Sequence, residues 1–151
     1  MSDDIRYFED FAVGQRFESA AREISESDIL AFATDFDPQY FHADPDRAAA
    51  SHFDGLIASG LHTLSVSMGQ FFRLRLLEDA NLSSPGMDEL RWLKPVRPGD
   101  AIRQQVEVLE CRPSRSKPDR GLLVMRHDTL NQRDERVMTF TCMHLLRRRP
   151  D

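Results

Sequence analysis

The sequence predicts an α+β fold in which a buried helix packs on an antiparallel β-sheet. Two observations lead to this prediction. Before residue 87, apolar residues recur at the three- and four-residue intervals of amphipathic helices, and after it they alternate with the two-residue period of strands. The last strand segments are joined by short connections, as in a meander. A helix laid on such a sheet is a two-layer α+β architecture.

Length and composition indicate one globular domain, and we expect it to span residues 1–151. A chain of 151 residues can bury a substantial core, and its 40% hydrophobic and 30% charged residues are ordinary for this class. The net charge of −5 argues against nucleic acid as a partner. Cys111 and Cys142 show no paired Cys/His spacing, which excludes a disulfide framework or a zinc site.

The acidic N-terminal stretch lacks the apolar region of a signal peptide, and no apolar run approaches membrane-spanning length. We therefore expect a cytoplasmic protein with no membrane partner.

The first predicted helix has clear start and stop signals. It follows an entry segment at residues 8–24, which contains a turn at Val13-Gly14. Ser25 is a favourable N-cap, and Asp28 places a carboxylate three residues further on, near the first-turn amides. Pro38 disfavours helical angles at Asp37, so the helix should end about there. Its apolar face consists of Ile29, Phe32, Ala33 and Phe36.

Residues 45–51 predict a short helix or turn, and residues 60–77 a longer helix. Residues 81–86 (NLSSPG) predict a loop. Small residues in the longer helix would let it lie close to a sheet; these are Ser65, Ser67 and Gly69. The apolar face predicted for that helix consists of Ile57, Leu61, Leu64, Met68, Phe71 and Phe72.

Four strand segments follow the helices. A basic loop at 112–120 and a hairpin connection at 131–136 separate the last three. The second strand segment is recognised by apolar residues on one face, as a period of two requires. The segments are 90–96, a stretch containing Ile102, Val106 and Val108, then 121–130 and 137–146.

Asp37 and His42 form the first candidate for chemistry. A carboxylate and an imidazole suit general acid/base catalysis near neutral pH. Five residues of extended chain span roughly 17 Å, so the loop must fold back if the two side chains share a substrate. Pro38 makes such a bend plausible. The alternative is an aspartate that caps a turn and an ordinary surface histidine.

Gly60 is the second candidate, because it opens the longer helix. The amides of a helix N-terminus are unpaired and carry the positive end of the helix dipole. Glycine lets a ligand approach the backbone, so this amide could bind a developing oxyanion. The alternative is a glycine needed only for close packing of the helix on the sheet.

These residues together resemble the MaoC-like hydratase/dehydratase family, the R-specific enoyl-CoA hydratases of hotdog fold. The family pattern is Asp-x-Asn-Pro-x-His followed by Ile-Ala-His-Gly at the start of the central helix. Here residues 37–42 read DPQYFH, and residues 57–60 read IASG. The segment at 90–100 (LRWLKPVRPGD) is similar to the strand and turn after that helix. The resemblance covers roughly residues 8–147.

The chain departs from the family pattern at three positions. Gln39 stands where asparagine is usual, Tyr40 where proline is usual, and Ser59 where histidine is usual. A second register, starting at Asp35, would match the first residues of the pattern but would place Tyr40 on the histidine. We prefer the register that starts at Asp37.

The resemblance implies a hotdog fold, in which the antiparallel sheet wraps around a long central helix, and it implies a mechanism. Asp37 and His42 would hold a water that attacks the β-carbon of a trans-2-enoyl thioester. Asp37 would take a proton from that water, and His42 would deliver one to the α-carbon. The Gly60 amide would bind the thioester oxygen. No metal or redox cofactor is required, since coenzyme A is part of the substrate.

The substrate-binding prediction includes four further residues. Ser59 and Tyr40 belong to the matched motifs and are expected beside the substrate, and Arg115 and Lys117 could attract the phosphates of coenzyme A. The resemblance also implies a homodimer or a larger homo-oligomer, in which coenzyme A sites often use residues of both subunits. Two other functions stay open, a hotdog thioesterase and a non-catalytic acyl-CoA-binding module.

Overall fold

The computed structural model describes residues 5–151 and confirms the α+β class. Two short strands and three helices precede the central helix, and four long strands follow it. The helices are α1 Glu26–Phe36, α2 Tyr40–Ala43, α3 Pro45–Ala49 and α4 Gly60–Arg73. The strands are β1 Arg16–Glu18, β2 Arg22–Glu23, β3 Asn81–Trp92, β4 Ala101–Pro113, β5 Arg120–Leu130 and β6 Arg136–Arg147.

The sheet is antiparallel, with strand order β1-β4-β5-β6-β3, and β2 also pairs with β4. The predicted meander of the last three strands is confirmed. Within residues 5–151, β3 pairs with β6 along one side and has no strand partner along the other. The sheet therefore has one long open edge.

The boundaries predicted for β3 were wrong at both ends. The strand already begins at Asn81, inside the predicted loop, and it ends at Trp92 rather than at Val96. Its pairing with β6 shifts register three times, between Asn81 and Arg91. Edge strands tolerate such irregularities and also proline, because one side of the strand makes no ladder hydrogen bonds. The turn-like composition of residues 81–86 is therefore compatible with a strand here.

The start of α1 is as predicted. The Asp28 N–H donates to Ser25 Oγ at 3.0 Å, and the Ser25 N–H donates to Asp28 Oδ2 at 3.4 Å, which completes a capping box. The helix ends at Phe36, one residue before Asp37. The position of Asp37 is thus set by local signals at both ends of the helix.

The central helix α4 is shorter than predicted, and its buried face matches the predicted one only in part. Leu61 and Phe72 are each 47% exposed, whereas Ser67 is fully buried. The small Ser67 side chain lets the helix approach the sheet, where its hydroxyl is 3.0 Å from Thr129 Oγ1. Gln70 donates to the Ile102 carbonyl at 2.7 Å. The buried Phe71 and the hydrogen bonds to the sheet together orient α4.

Two histidines lie in the core beneath α4. His127 and His144 have no exposed surface. The His127 ring stacks on Phe140 with centroids 4.6 Å apart, and its edge meets Phe71 at 4.7 Å. Neither ring nitrogen of His127 has a hydrogen-bond partner among the described residues, while Nδ1 of His144 lies 2.8 Å from Ser84 Oγ. Burial lowers the pKa of His127 to about 3 and that of His144 to about 4.

None of the helices in the described part of the chain is long and apolar enough to cross a membrane.

Candidate active site

The loop after α1 folds back and brings Asp37 and His42 together. Asp37 is the C-cap of α1, where its N–H bonds the Ala33 carbonyl at 2.9 Å, and Pro38 prevents another helical turn. The chain then enters α2, which carries His42. Nε2 of His42 lies 3.4 Å from Oδ2 of Asp37. The predicted fold-back is confirmed, because an extended chain would separate these residues by roughly 17 Å.

A backbone carbonyl determines which nitrogen of His42 faces Asp37. Nδ1 lies 2.7 Å from the Ile57 carbonyl oxygen. Since a carbonyl can only accept a hydrogen bond, Nδ1 carries a hydrogen and Nε2 is left toward Asp37. The His42 residue is 5% exposed, and its ring meets the edge of Phe41. His42 is therefore a buried, oriented imidazole and not an ordinary surface histidine.

Two side chains donate hydrogen bonds to the Asp37 carboxylate. Ser59 Oγ donates to Oδ2 at 2.6 Å, and Gln39 Nε2 donates to Oδ1 at 2.7 Å. Burial alone raises the pKa of Asp37. The two hydrogen bonds and the nearby His42 outweigh that effect and hold this pKa below its usual value. Asp37 is thus ionised at neutral pH, as a general base must be.

Ser59 is not among the residues that line the cavity described below. Its predicted role in substrate binding is therefore not supported. Ser59 is 1% exposed and is the N-cap of α4, where its hydroxyl accepts from the Leu61 N–H at 3.2 Å. The same hydroxyl donates to Asp37. Where the family usually has histidine, this chain uses a serine that connects the helix cap to the carboxylate.

Gly60 begins α4 next to this serine. Its N–H has no hydrogen-bond partner within the described residues, as expected for the first residue of a helix. Trp92 donates from Nε1 to the Gly60 carbonyl at 2.9 Å. A Cβ at residue 60 would lie 2.4 Å from Cε2 of the same indole. Packing on Trp92 thus requires a glycine here, and binding of an oxyanion by the amide stays a prediction.

One cavity of about 470 Å³ joins these groups. Asp37, His42 and Gly60 all line it, so the three predicted catalytic residues share one space. Lys94 lies on its wall and pairs with Glu135. The apolar wall is formed mainly by Phe41, Phe53, Ile57, Leu61, Trp92, Leu93, Val96 and Val137.

Tyr40, predicted to contact substrate, is not among the residues that line the cavity. It is the first residue of α2, and the Arg47 guanidinium lies 4.8 Å from its ring centroid. Gln39 caps α2 through its carbonyl, which accepts from the His42 N–H at 3.0 Å. The turn between Asp37 and His42 is therefore made by Gln39 and the short helix.

Arg115 and Lys117 are not brought to the cavity within one chain. They lie in the loop between β4 and β5, which is adjacent to the end of β6 at Arg147. The cavity borders Val137, at the start of β6. The length of β6 separates the two places by more than 30 Å, at about 3.3 Å per residue. Their predicted contact with coenzyme A needs a second subunit.

Three features of the site were missed in the sequence, namely the Ile57 carbonyl that orients His42, the Ser59 bond to Asp37, and Trp92 over Gly60. Trp92 lies in the predicted strand segment LRWLKPV, but no feature of the neighbouring sequence shows that this end of the strand faces the helix. No cluster of three or more His, Cys, Asp or Glu side chains in residues 5–151 is arranged to hold a metal ion.

Comparison with known proteins gives a matching family. The model of the MaoC like domain matches residues 10–126. This chain belongs to the MaoC-like domain family. The protein YdeM of Bacillus subtilis, named as uncharacterized, is 34% identical over 140 residues, 93% of this chain and 98% of the relative. The 3-hydroxybutyryl-CoA dehydratase of Methylorubrum extorquens is 33% identical over 118 residues, 75% of this chain and 70% of the relative.

Solved structures identify the fold of this MaoC-like domain. The crystal structure of the MaoC-like dehydratase from Rhodospirillum rubrum matches with a TM-score of 0.83 and 42% identity, covering 97% of this chain and 99% of that chain. A conserved hypothetical protein of Mycobacterium tuberculosis, described as a double hotdog fold, matches with a TM-score of 0.81 and 24% identity, covering 97% of this chain and 46% of that one. The predicted hotdog fold is confirmed.

Proposed function

We propose that this MaoC-like domain is a hydro-lyase that catalyses the reversible hydration of a trans-2-enoyl-CoA, or the dehydration of a 3-hydroxyacyl-CoA. The observation that supports this most is the single cavity lined by an ionised carboxylate, an oriented imidazole and a free helix N-terminal amide. A relative named as a 3-hydroxybutyryl-CoA dehydratase supports the same reaction class.

The proposed mechanism gives each proton transfer a direction. Asp37 takes a proton from the water that attacks the β-carbon, because its carboxylate is ionised and faces the cavity. His42 gives a proton to the α-carbon through Nε2, since Nδ1 remains bonded to the Ile57 carbonyl. In this direction the proton leaves from Nε2, which lies 3.4 Å from Oδ2 of Asp37. Dehydration reverses both transfers.

The Gly60 amide is the proposed donor to the thioester oxygen. Negative charge develops on that oxygen as the enolate forms, and a preorganised N–H at a helix N-terminus stabilises it. Trp92 packs on Gly60 and fixes the start of the helix. The chemistry needs no metal or redox group, and coenzyme A enters as part of the substrate.

One assay distinguishes hydration from the two alternatives. Purified protein is given crotonyl-CoA and longer or branched enoyl-CoAs, and enoyl absorbance and free thiol are followed together. We expect the absorbance to fall without release of thiol. Release of thiol would instead indicate a thioesterase. Binding of enoyl-CoA with neither signal would indicate a non-catalytic acyl-CoA-binding module, and either result contradicts the proposal.

We further propose that the protein acts as a homodimer, in the cytoplasm, with two sheets joined along the open edge of β3. Leu82 and Met87 on this strand are 38% and 39% exposed. An unpaired edge with exposed apolar side chains is prone to pair with another strand. Joining the sheets would also supply the second subunit that Arg115 and Lys117 need to reach a coenzyme A site.

The pairing predicts the effect of charges on the edge. Light scattering should give about twice the 17.4 kDa chain mass for the natural protein. Leu82→Lys combined with Met87→Lys should give the single-chain mass, because lysine side chains on an edge strand oppose its pairing with another strand. Leu109→Lys, on β4 and 37% exposed, is the matched control and should leave the dimer intact. A dimer that survives the β3 variant would place the interface elsewhere.

A further inference from the structure

The hydroxyl of Ser59 accepts one hydrogen bond and donates another, and its two neighbours determine which is which. The Leu61 backbone N–H can only donate, so at 3.2 Å Ser59 Oγ is the acceptor of that bond. The single hydroxyl hydrogen is then directed to Asp37 Oδ2, at 2.6 Å. That distance is in the range of charge-assisted O–H···O⁻ bonds. Burial of Ser59 to 1% exposure keeps water from competing for either bond.

We propose that Ser59 is a positioning residue that fixes the Asp37 carboxylate and aims its Oδ2 atom at the water site shared with His42. This inference deepens the proposed hydratase function and rests on it for the catalytic consequence. The helix N-terminus and the carboxylate become one unit, because the same hydroxyl caps α4 and bonds the base.

The contact matters because Oδ2 is also the oxygen closest to His42. Gln39 donates to the other oxygen, Oδ1, at 2.7 Å. The carboxylate plane is thus held at both ends, and Oδ2 cannot rotate away from Nε2 of His42, 3.4 Å distant. Without the Ser59 hydroxyl, only Gln39 would hold the group, through a long side chain at an exposed position.

The other titratable groups around the site within residues 5–151 do not contact the Asp37 carboxylate. Lys94 lines the same cavity but pairs with Glu135. His62, on the first turn of α4, stacks on Phe32 with centroids 4.8 Å apart. On its own helix, the nearby Asp35 side chain is exposed. Among the described residues, His42 is therefore the titratable group in contact with the carboxylate.

Two substitutions separate the bond to Asp37 from the helix cap. Ser59→Ala removes both, whereas Ser59→Gly removes the hydroxyl and keeps most of the capping preference. We expect the acid limb of the kcat/KM profile to move to higher pH by about one unit in both variants, because a lost hydrogen bond to the charged form raises the pKa of the carboxyl. The fall in Tm should be larger for the alanine variant.

The control is Ser65→Ala, a serine on the same helix whose exposed hydroxyl bonds only the Leu61 carbonyl, at 2.8 Å. It should leave the acid limb in place. If Ser59 only caps the helix, Ser59→Gly will keep the natural pH profile, and the inference is wrong.

Titration of the Asp37 carboxyl carbon by NMR, assigned with Asp37→Asn, gives a readout that needs no activity. The midpoint should rise in both Ser59 variants and stay in the Ser65 variant. If the midpoints shift in this way but the natural protein hydrates no enoyl-CoA, the proposed function fails and the positioning role stands. An unchanged Asp37 midpoint in Ser59→Ala overturns the positioning role whatever the activity.

Discussion

Replacing Asp37 with asparagine should lower kcat/KM for enoyl-CoA hydration by about 10³-fold, within the range that general acid/base catalysis contributes. The variant keeps the size of the side chain and an oxygen that can accept from Gln39 or Ser59, so the loop should keep its shape. It loses the negative charge that accepts the proton of the attacking water. Binding of the substrate should change much less than turnover.

His42→Ala should lower the rate to a similar extent, since it removes the proton donor to the α-carbon. Groups that act as a unit give non-additive losses. The double variant of Asp37 and His42 should therefore be no more than several-fold slower than the slower single variant. Initial rates from enoyl absorbance, together with circular dichroism of each variant, give the comparison.

Asp35→Asn is the matched control, because Asp35 is an exposed aspartate two residues earlier, in the last turn of α1. It should keep the natural rate. Asp35 is also the start of the second register considered for the family motif. A larger loss at Asp35 than at Asp37 would support that register and contradict the site described above.

Mild acid should destabilise the fold through the buried histidines. His127 and His144 stay neutral in the folded protein, because burial lowers their pKa to about 3 and about 4. In the unfolded chain both titrate near pH 6.5. Between these values the unfolded state binds more protons, so the free energy of unfolding is highest above pH 6.5 and falls as the pH decreases.

The expected slope is about 1.4 kcal/mol per pH unit for each histidine once the pH is well below 6.5. Urea unfolding at pH 7, 6 and 5 measures it. His127→Leu should remove about half of the slope contributed by the pair. His52→Gln changes an exposed histidine and should leave the slope as it is. An equal slope in the His127 and His52 variants would show that burial of the core histidine does not control acid stability.

Local signals in the sequence predicted the elements that local chemistry determines. The Ser25 cap and Pro38 set the two ends of α1, and the alternating strands after residue 100 identified the meander. The spacing of the motifs identified the family and predicted that Asp37, His42 and Gly60 form one candidate site. These features depend on neighbours a few residues apart, or on a pattern held in common with relatives.

Contacts between distant segments decided the rest. Periodicity placed Leu61 and Phe72 on the buried face of α4, although each is 47% exposed. It missed Ser67 and Gln70, which bond to strands that lie far away in the sequence. Composition suggested a loop at residues 81–86, because an edge strand tolerates the proline and turn-forming residues that a central strand excludes.

The sequence by itself determined the fold class, the end of α1 and the candidate catalytic residues. Only the tertiary structure decided that Ser59 holds Asp37, 22 residues earlier in the chain, and that Trp92 packs on Gly60, 32 residues before it. A hydrogen bond needs two groups about 3 Å apart, and for segments so distant that proximity exists only when the sheet and helix have packed.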